Sequence, residues 1–179
     1  MLDKTPLRAV RLLPAGHWMS YREGALERRQ YWDVPLARDK INDEDKVISA
    51  SRDLLLDAVG ERLAASRRPA ILLSGGIDSC LLVGAAAARA AGRLMTVTLV
   101  SGAHAQQVEL ARQVARRFDT EHVEITLGGG ELHNNFEDFT WSMSKPTVGS
   151  ICNYFCSRAA AAHGADTAMT GHQADFIFM

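Results

Sequence analysis

One stretch near the middle of the chain, residues 70–80 (Ala-Ile-Leu-Leu-Ser-Gly-Gly-Ile-Asp-Ser-Cys), most constrains what the chain can fold into. The apolar run from Ile71 to Leu73 predicts a buried parallel strand, and the Ala-rich stretch from Asp78 to Ala91 predicts a helix. Between them, two adjacent glycines allow a sharp turn that brings bare N–H groups together at the positive end of the helix dipole. This arrangement predicts a loop that binds a polyphosphate.

These glycines do not fit the two common nucleotide-binding loops. The Walker P-loop requires a Lys after its glycines, and the Rossmann fingerprint requires a third Gly; both residues are missing here. A structural alternative is an ordinary turn in which Asp78 and Ser79 only cap the following helix. We favour the nucleotide-binding interpretation, because capping requires only one of these two residues.

Composition places the chain among soluble globular proteins. Its 179 residues are 47% apolar and 23% charged, which is enough for one domain with a good core. The net charge of −1 gives no overall electrostatic footprint for nucleic acid. No apolar run approaches the length of a membrane span, and residues 1–6 lack a signal-peptide hydrophobic region. We therefore expect a cytoplasmic protein with no membrane or nucleic-acid partner.

The three cysteines do not indicate a metal site. Cys80, Cys152 and Cys156 form an odd number without zinc-ligand spacing. Cys152 and Cys156 lie four residues apart on a predicted helix and therefore share one face. We expect buried free thiols.

The order of the remaining elements predicts an α/β fold with an open parallel sheet and helices on both faces. Extended pieces are predicted at 7–13, 17–22 and 29–34. Helices are predicted from 43 to 65, from 78 to a Gly92 cap, over 105–118, after the glycines at 128–130, and over 150–163 with a Gly164 end. Further strands are predicted at 95–100, 122–127 and 165–170. Ligands of such sheets bind at the carboxyl ends of the strands, which places Ser74, Ser101 and the end of the third strand around one crevice.

A second motif follows the last predicted strand. Residues 170–175 (Thr-Gly-His-Gln-Ala-Asp) are again a strand end, a Gly turn and an acid, as expected opposite the first loop. An alternative role for Asp175, as the N-cap of a following helix, stays open.

Several segments resemble one family. The Ser-Gly-Gly-Ile-Asp-Ser loop resembles the pyrophosphate loop of the ATP pyrophosphatases, and residues 170–175 resemble elements of asparagine synthetases and β-lactam synthetases. Residues 12–17 with Tyr31-Trp32, and residues 118–125, resemble further elements of the same synthetase domain. The chain thus resembles the asparagine synthetase B and β-lactam synthetase family over nearly its whole length.

The resemblance implies a Rossmann-like fold of the adenine nucleotide alpha hydrolase (PP-loop ATP pyrophosphatase) type, with ATP and Mg²⁺ as cofactors. By position, it implies that pyrophosphate is held by Ser74, Gly75, Gly76, Asp78 and Ser79. It further implies that Leu72, Val97 and Gly171 cradle adenine and ribose, that Asp78 and Asp175 bind the metal, and that His172 and Asp175 are catalytic.

The chain also departs from the family pattern at four positions. His172 stands in place of a glutamate or tyrosine, Gln173 in place of a glycine, Phe176 in place of an acid, and Gln107 near a usual Asp. A His at position 172 is still able to act as an acid or base near neutral pH. The changes at positions 176 and 107 weaken the expected binding of metal or substrate.

The resemblance divides the chain into an extended lead-in segment, 1–42, and a synthetase domain, 43–179, that lacks the family's C-terminal part and its lysine. Because Leu2 follows Met1, the family's N-terminal glutaminase cysteine is absent. The implied activity is a ligase of the asparagine biosynthesis type: adenylation of aspartate or an analogue, then amidation by ammonia or an amine. Expected partners are the carboxylate substrate, a glutaminase subunit, a complementary C-terminal chain or a second copy.

Two other interpretations stay open. The chain is alternatively a catalytically incomplete nucleotide-binding fragment, or a split half that needs a partner chain; the apolar end at residues 176–179 favours this. A tRNA-modifying or sulfur-transferring pyrophosphate-loop enzyme is disfavoured, because the sequence lacks paired cysteines and a basic surface.

Overall fold

The computed structural model describes residues 5, 7–34, 43–100, 102–143, 151–172 and 174. The chain divides into two compact units, Met1–Glu44 and Asp45–Met179. Within the described residues, no helix is both long and apolar enough to cross a bilayer.

The first unit contains an antiparallel hairpin of β1 (His17–Arg22) and β2 (Ala25–Gln30). Its two-residue turn, Glu23-Gly24, has positive φ angles of 51° and 82°, the conformation whose twist matches that of paired strands. The extended piece predicted at 29–34 is therefore wrong for 31–34, because this turn starts the second strand at Ala25 and its pairing with the first strand ends at Gln30. Residues 7–13 form no strand either, apart from one bridge residue at Arg11.

The second unit contains a four-stranded parallel sheet in the order β5-β4-β3-β6. Its strands are β3 (Pro69–Leu72), β4 (Met95–Val100), β5 (Glu121–Thr126) and β6 (Thr167–Met169). Its helices are α1 (Glu44–Ala64), α2 (Ile77–Ala87), α3 (Ala105–Arg117), α4 (Glu131–Asn134), α5 (Phe136–Ser142) and α6 (Ile151–Ala162). The predicted open parallel α/β sheet is confirmed.

Side-chain alternation along β3 builds a core on each face of the sheet. Ile71 and Leu73 point to one face and join residues from α1, α2 and α3. Leu72 points to the other face and packs in a second cluster that includes Cys156 of α6. Helices therefore cover both faces, and a strand with two buried faces explains the unbroken apolar run in the sequence.

Helix ends agree with the sequence only in part. Gly164 ends α6 as predicted, with a φ of +86° and a hydrogen bond from the Ala165 N–H to the Ala160 carbonyl. The predicted Gly92 cap is wrong: α2 ends at Ala87, and the Arg89 N–H bonds back only three residues to Ala86. The single helix predicted after residue 130 is divided at Asn135, whose side-chain amide donates to the Glu131 carbonyl.

At the amino end of the sheet, Asp166 joins β6 to the segment before β3. Its carboxylate accepts hydrogen bonds from the Ser66 hydroxyl and from the N–H groups of Arg67 (2.9 Å) and Arg68 (3.3 Å). These donors lower the pKa of Asp166 to about 2, with the Ser66 hydroxyl the largest cause. The two strands are thereby held in register at the end opposite the phosphate loop.

Candidate nucleotide-binding site

The loop between β3 and α2 turns where Gly75 packs against α3. Gly75 has a φ of +80°, and a Cβ at this position would lie 2.0 Å from the carbonyl oxygen of Gln107. Both the backbone conformation and the close approach of Gln107 require glycine here. The loop is therefore built directly onto the first turn of α3.

The hydroxyls of two serines form hydrogen bonds within the loop. Ser79 Oγ accepts the Ser74 N–H (3.2 Å) and donates to the Gly76 carbonyl (3.0 Å). Ser74 Oγ accepts the Gly76 N–H (3.3 Å) and lies 3.1 Å from Ser79 Oγ. Because the single Ser79 proton points to Gly76, Ser74 is the donor between the two hydroxyls. Ser79 is buried, so its hydroxyl fixes the shape of the loop.

The start of α2 offers backbone donors to an anion. The N-cap is Gly76, and no side chain caps the helix, so neither Asp78 nor Ser79 fills that position. The N–H groups of the first helical residues have no acceptor within the helix. Together with the positive end of the helix dipole, these donors favour a bound phosphate.

The second sequence motif contacts the first. A Cβ added to Gly171, just beyond β6, would lie 3.0 Å from both the carbonyl carbon and the Cβ of Asp78. The next residue, His172, is exposed, and its N–H donates to the Thr170 hydroxyl at 3.3 Å. Two motifs that lie far apart in the sequence thus meet at the start of α2.

An open cleft of about 370 Å³ lies above the carboxyl ends of β3, β4 and β6. Every predicted site residue except Gly75 and Asp175 lines it: Leu72, Ser74, Gly76, Asp78, Ser79, Val97, Gly171 and His172. Gly75 is the loop residue that faces Gln107 of α3, and it does not line the cleft. Asp175, like Ser101, Gln173 and Phe176, lies outside the described residues.

Two helices supply further cleft residues, and of these the sequence had pointed to Gln107 alone as a site residue. His104 is the N-cap of α3 and Gln107 lies in its first turn, whereas Cys152, Asn153 and Cys156 come from α6. The four-residue spacing of the cysteines predicted a shared helix face, but not that this face looks onto the cleft. The expectation of buried thiols is wrong for Cys152, which is exposed. Cys156 is buried, and this burial raises the pKa of its thiol to about 11.

Charge within the cleft is sparse. Among its described lining residues, Asp78 is the one carboxylate, and none is Lys or Arg. The described part of the chain holds no cluster of three or more metal-binding side chains. Mg²⁺ in nucleotide sites characteristically takes one or two carboxylates and completes its shell with phosphate oxygens and water. Asp78 beside the loop fits that pattern, because the phosphates would supply the other ligands.

A larger groove adjoins the cleft. It has a volume of about 780 Å³ and is lined mainly by apolar side chains of α1, α2 and β6. It shares Asp78, Thr170, Gly171 and His172 with the cleft. It lacks Ser74, Gly76 and Ser79, the residues that form the loop. The cleft is therefore the better candidate for a nucleotide.

Comparison with known proteins finds one family and several relatives. The model of the family described as asparagine synthase matches residues 50–179. The chain is 32% identical to the carboxyethyl-arginine β-lactam synthase of Streptomyces clavuligerus, over 94% of this chain and 33% of that protein. It is 27% identical to the glutamine-hydrolysing asparagine synthetase 1 of Bacillus subtilis, over 76% of this chain and 22% of that protein. The chain thus spans about a third or less of the length of these curated relatives.

Among solved structures, the NH₃-dependent NAD synthetase of Campylobacter jejuni superposes with a TM-score of 0.45 at 17% sequence identity. The superposition covers 66% of this chain and 54% of that structure.

Proposed function

Because the chain belongs to the asparagine synthase family and carries the Ser74–Ser79 loop at the end of an open parallel sheet, we propose that it is an ATP-dependent, AMP-forming carbon–nitrogen ligase domain of the PP-loop ATP pyrophosphatase type. In the proposed reaction, a carboxylate oxygen of aspartate or an analogue attacks the α-phosphate of ATP and pyrophosphate leaves. Ammonia or an amine then attacks the acyl carbon and AMP leaves. The observation that carries the proposal is that the Ser74–Ser79 loop opens into the same cleft as Gly171 and His172.

In the proposed complex, pyrophosphate occupies the loop and the nucleoside lies toward the strand ends. The donors of the loop and of the first turn of α2 favour the leaving pyrophosphate, whose charge grows in the transition state. Leu72 and Val97 give the cleft an apolar wall suited to adenine, and Gly171 leaves room beside Asp78. Rate enhancement would come mainly from positioning and from stabilisation of phosphate charge.

We assign the metal to Asp78, with Asp175 as a second acid. Magnesium bound there would supply the positive charge that lowers the cost of separating pyrophosphate from AMP. We assign a proton-transfer role to His172, which is exposed at the cleft rim beside Gly171. A neutral imidazole carries a ring nitrogen that accepts a proton, so it suits the removal of a proton from the attacking amine.

A second candidate is a nucleotide-binding half that needs a partner chain for catalysis. It is favoured by the lack of Lys or Arg among the described residues of the cleft. A pyrophosphate leaving group carries several negative charges, and such groups are normally met by fixed cations as well as by backbone donors. The partner would supply that cation.

ATP–pyrophosphate exchange with magnesium and a panel of carboxylic acids, beginning with aspartate, separates the candidates. The ligase proposal predicts exchange that depends on one acid and is lost in Asp78→Ala. It predicts no change in Asp53→Ala, which removes an exposed acid of α1 outside the cleft. ATP binding without exchange would support the partner-dependent half, and absence of ATP binding would contradict both candidates.

A further inference from the structure

The peptide unit between Leu73 and Ser74 is the first of the phosphate loop. Side-chain hydroxyls form hydrogen bonds with both the carbonyl and the N–H of this peptide unit. Its carbonyl, on Leu73, accepts a 2.6 Å hydrogen bond from Thr98 Oγ1. Its N–H, on Ser74, donates to Ser79 Oγ at 3.2 Å. The peptide plane is thus fixed from β4 on one side and from α2 on the other.

This peptide unit lies where the chain leaves the sheet. The Leu73 N–H still donates to the Val97 carbonyl at 2.8 Å, in continuation of the β3–β4 ladder. Beyond that bond, the Leu73 carbonyl is bonded by the Thr98 hydroxyl and not by a backbone N–H of β4. Leu73 and Thr98 are each only 1% exposed, so without this hydroxyl the carbonyl would lose a buried partner.

We propose that Thr98 is a positioning residue for the phosphate loop and acts through the Leu73 carbonyl. Val97 and Leu99 line the cleft, whereas Thr98 between them does not. Its hydroxyl therefore bonds to the loop from a position outside the lining of the cleft. The inference rests on the proposed function, because it concerns the loop assigned there to pyrophosphate.

The effect of Thr98 on phosphate binding follows from the orientation of the residues after Ser74. With the Leu73–Ser74 peptide fixed, the chain enters Gly75 at a φ of +80° and turns into α2 with its first amides free of intrahelical acceptors. Rotation of this peptide would move those donors together. Loss of the Thr98 hydroxyl should therefore weaken binding of the β- and γ-phosphates more than binding of the nucleoside.

Thr96 provides a matched control on the same strand. It is 0% exposed, and its hydroxyl lies 2.7 Å from Thr120 Oγ1 and 2.9 Å from His122 Nδ1, so it serves no loop atom. Thr96→Val and Thr98→Val each remove one buried hydroxyl with little change of shape. Comparable falls in melting temperature are expected for both.

The test is calorimetric titration of each variant with Mg·ATP and with AMP. Thr98→Val should weaken the affinity for ATP by roughly tenfold, the ratio expected for one buried hydrogen bond, and leave the affinity for AMP unchanged. Thr96→Val should change neither affinity, and Thr98→Ser, which keeps the donor, should bind ATP like the wild type. Equal ATP affinity in Thr98→Val and Thr96→Val would overturn the inference, as would equal losses for ATP and AMP.

A second pair of variants covers the case in which Thr98→Val does not fold. Serine and cysteine are similar in shape, but a thiol is a much weaker donor than a hydroxyl. Thr98→Cys should therefore bind ATP more weakly than Thr98→Ser, and equal affinities would refute the role of the hydroxyl. If wild type and Thr96→Val also fail to bind ATP, the proposed function fails, and the inference fails with it.

Discussion

Substitution of Gly75 by Ala should destabilise the fold through both backbone strain and steric overlap. At a φ of +80°, a residue with a Cβ costs about 1–2 kcal/mol. The new Cβ would also lie 2.0 Å from the Gln107 carbonyl oxygen and 2.8 Å from its carbon, where at least 3.0 Å is needed. The loop or α3 must then move by about 1 Å, and overpacking of this kind costs roughly 1–3 kcal/mol. Together the two effects amount to about 2–5 kcal/mol.

Equilibrium unfolding in urea measures this loss, and Gly164→Ala is the matched control. Gly164 has a φ of +86°, but its Cβ would meet only the flexible Arg68 side chain, at 3.6 Å or more. Gly164→Ala should therefore show the strain alone, about 1–2 kcal/mol. If Gly75→Ala unfolds at the same urea concentration as Gly164→Ala, the loop is not packed on α3 as described, and the reasoning fails.

Three further substitutions or treatments probe the site and the sheet. Gly171→Ala should push Asp78 by a few tenths of an ångström. Titration should then show weaker binding of Mg·ATP with little change in melting temperature, and a wild-type affinity would contradict the contact. Asp166, with its pKa lowered from 3.8 to about 2, contributes stability that is complete above about pH 4 and is lost as the pH falls toward 2. In Asp166→Asn, the urea midpoint should no longer fall over this pH range because of this carboxylate. A pH profile of the midpoint that matches the wild type would refute the prediction. A thiol reagent at pH 8 should label exposed Cys152 before Cys156, and ATP should slow the labelling; mass spectrometry that finds Cys156 first would contradict the assignment.

The sequence predicted those features that depend on local chemistry. The apolar run before Ser74, the glycine pair and the Ala-rich stretch after Asp78 each have one favourable backbone solution, so strand, loop and helix were all found. The Gly164 cap was found for the same reason, since a glycine after a periodic helix is a strong stop signal. Gly92 gave a similar signal, yet α2 had already ended at Ala87.

Features that depend on tertiary contact were missed. Gly75 requires glycine because of Gln107, which lies on a different helix. Cys152 and Asn153 reach the cleft only because α6 packs on the face of the sheet that carries Leu72. Thr98 reads as an ordinary strand residue, and its bond to Leu73 appears only once β4 lies beside β3.

Transfer of oxygen from substrate to nucleotide tests the central claim most directly. The acid selected by the exchange panel would be labelled with heavy oxygen in its carboxyl group, and the nucleotide product analysed by mass spectrometry. Adenylation in the cleft predicts AMP that carries one labelled oxygen and pyrophosphate that carries none. Unlabelled AMP, or ADP in place of AMP, would contradict it.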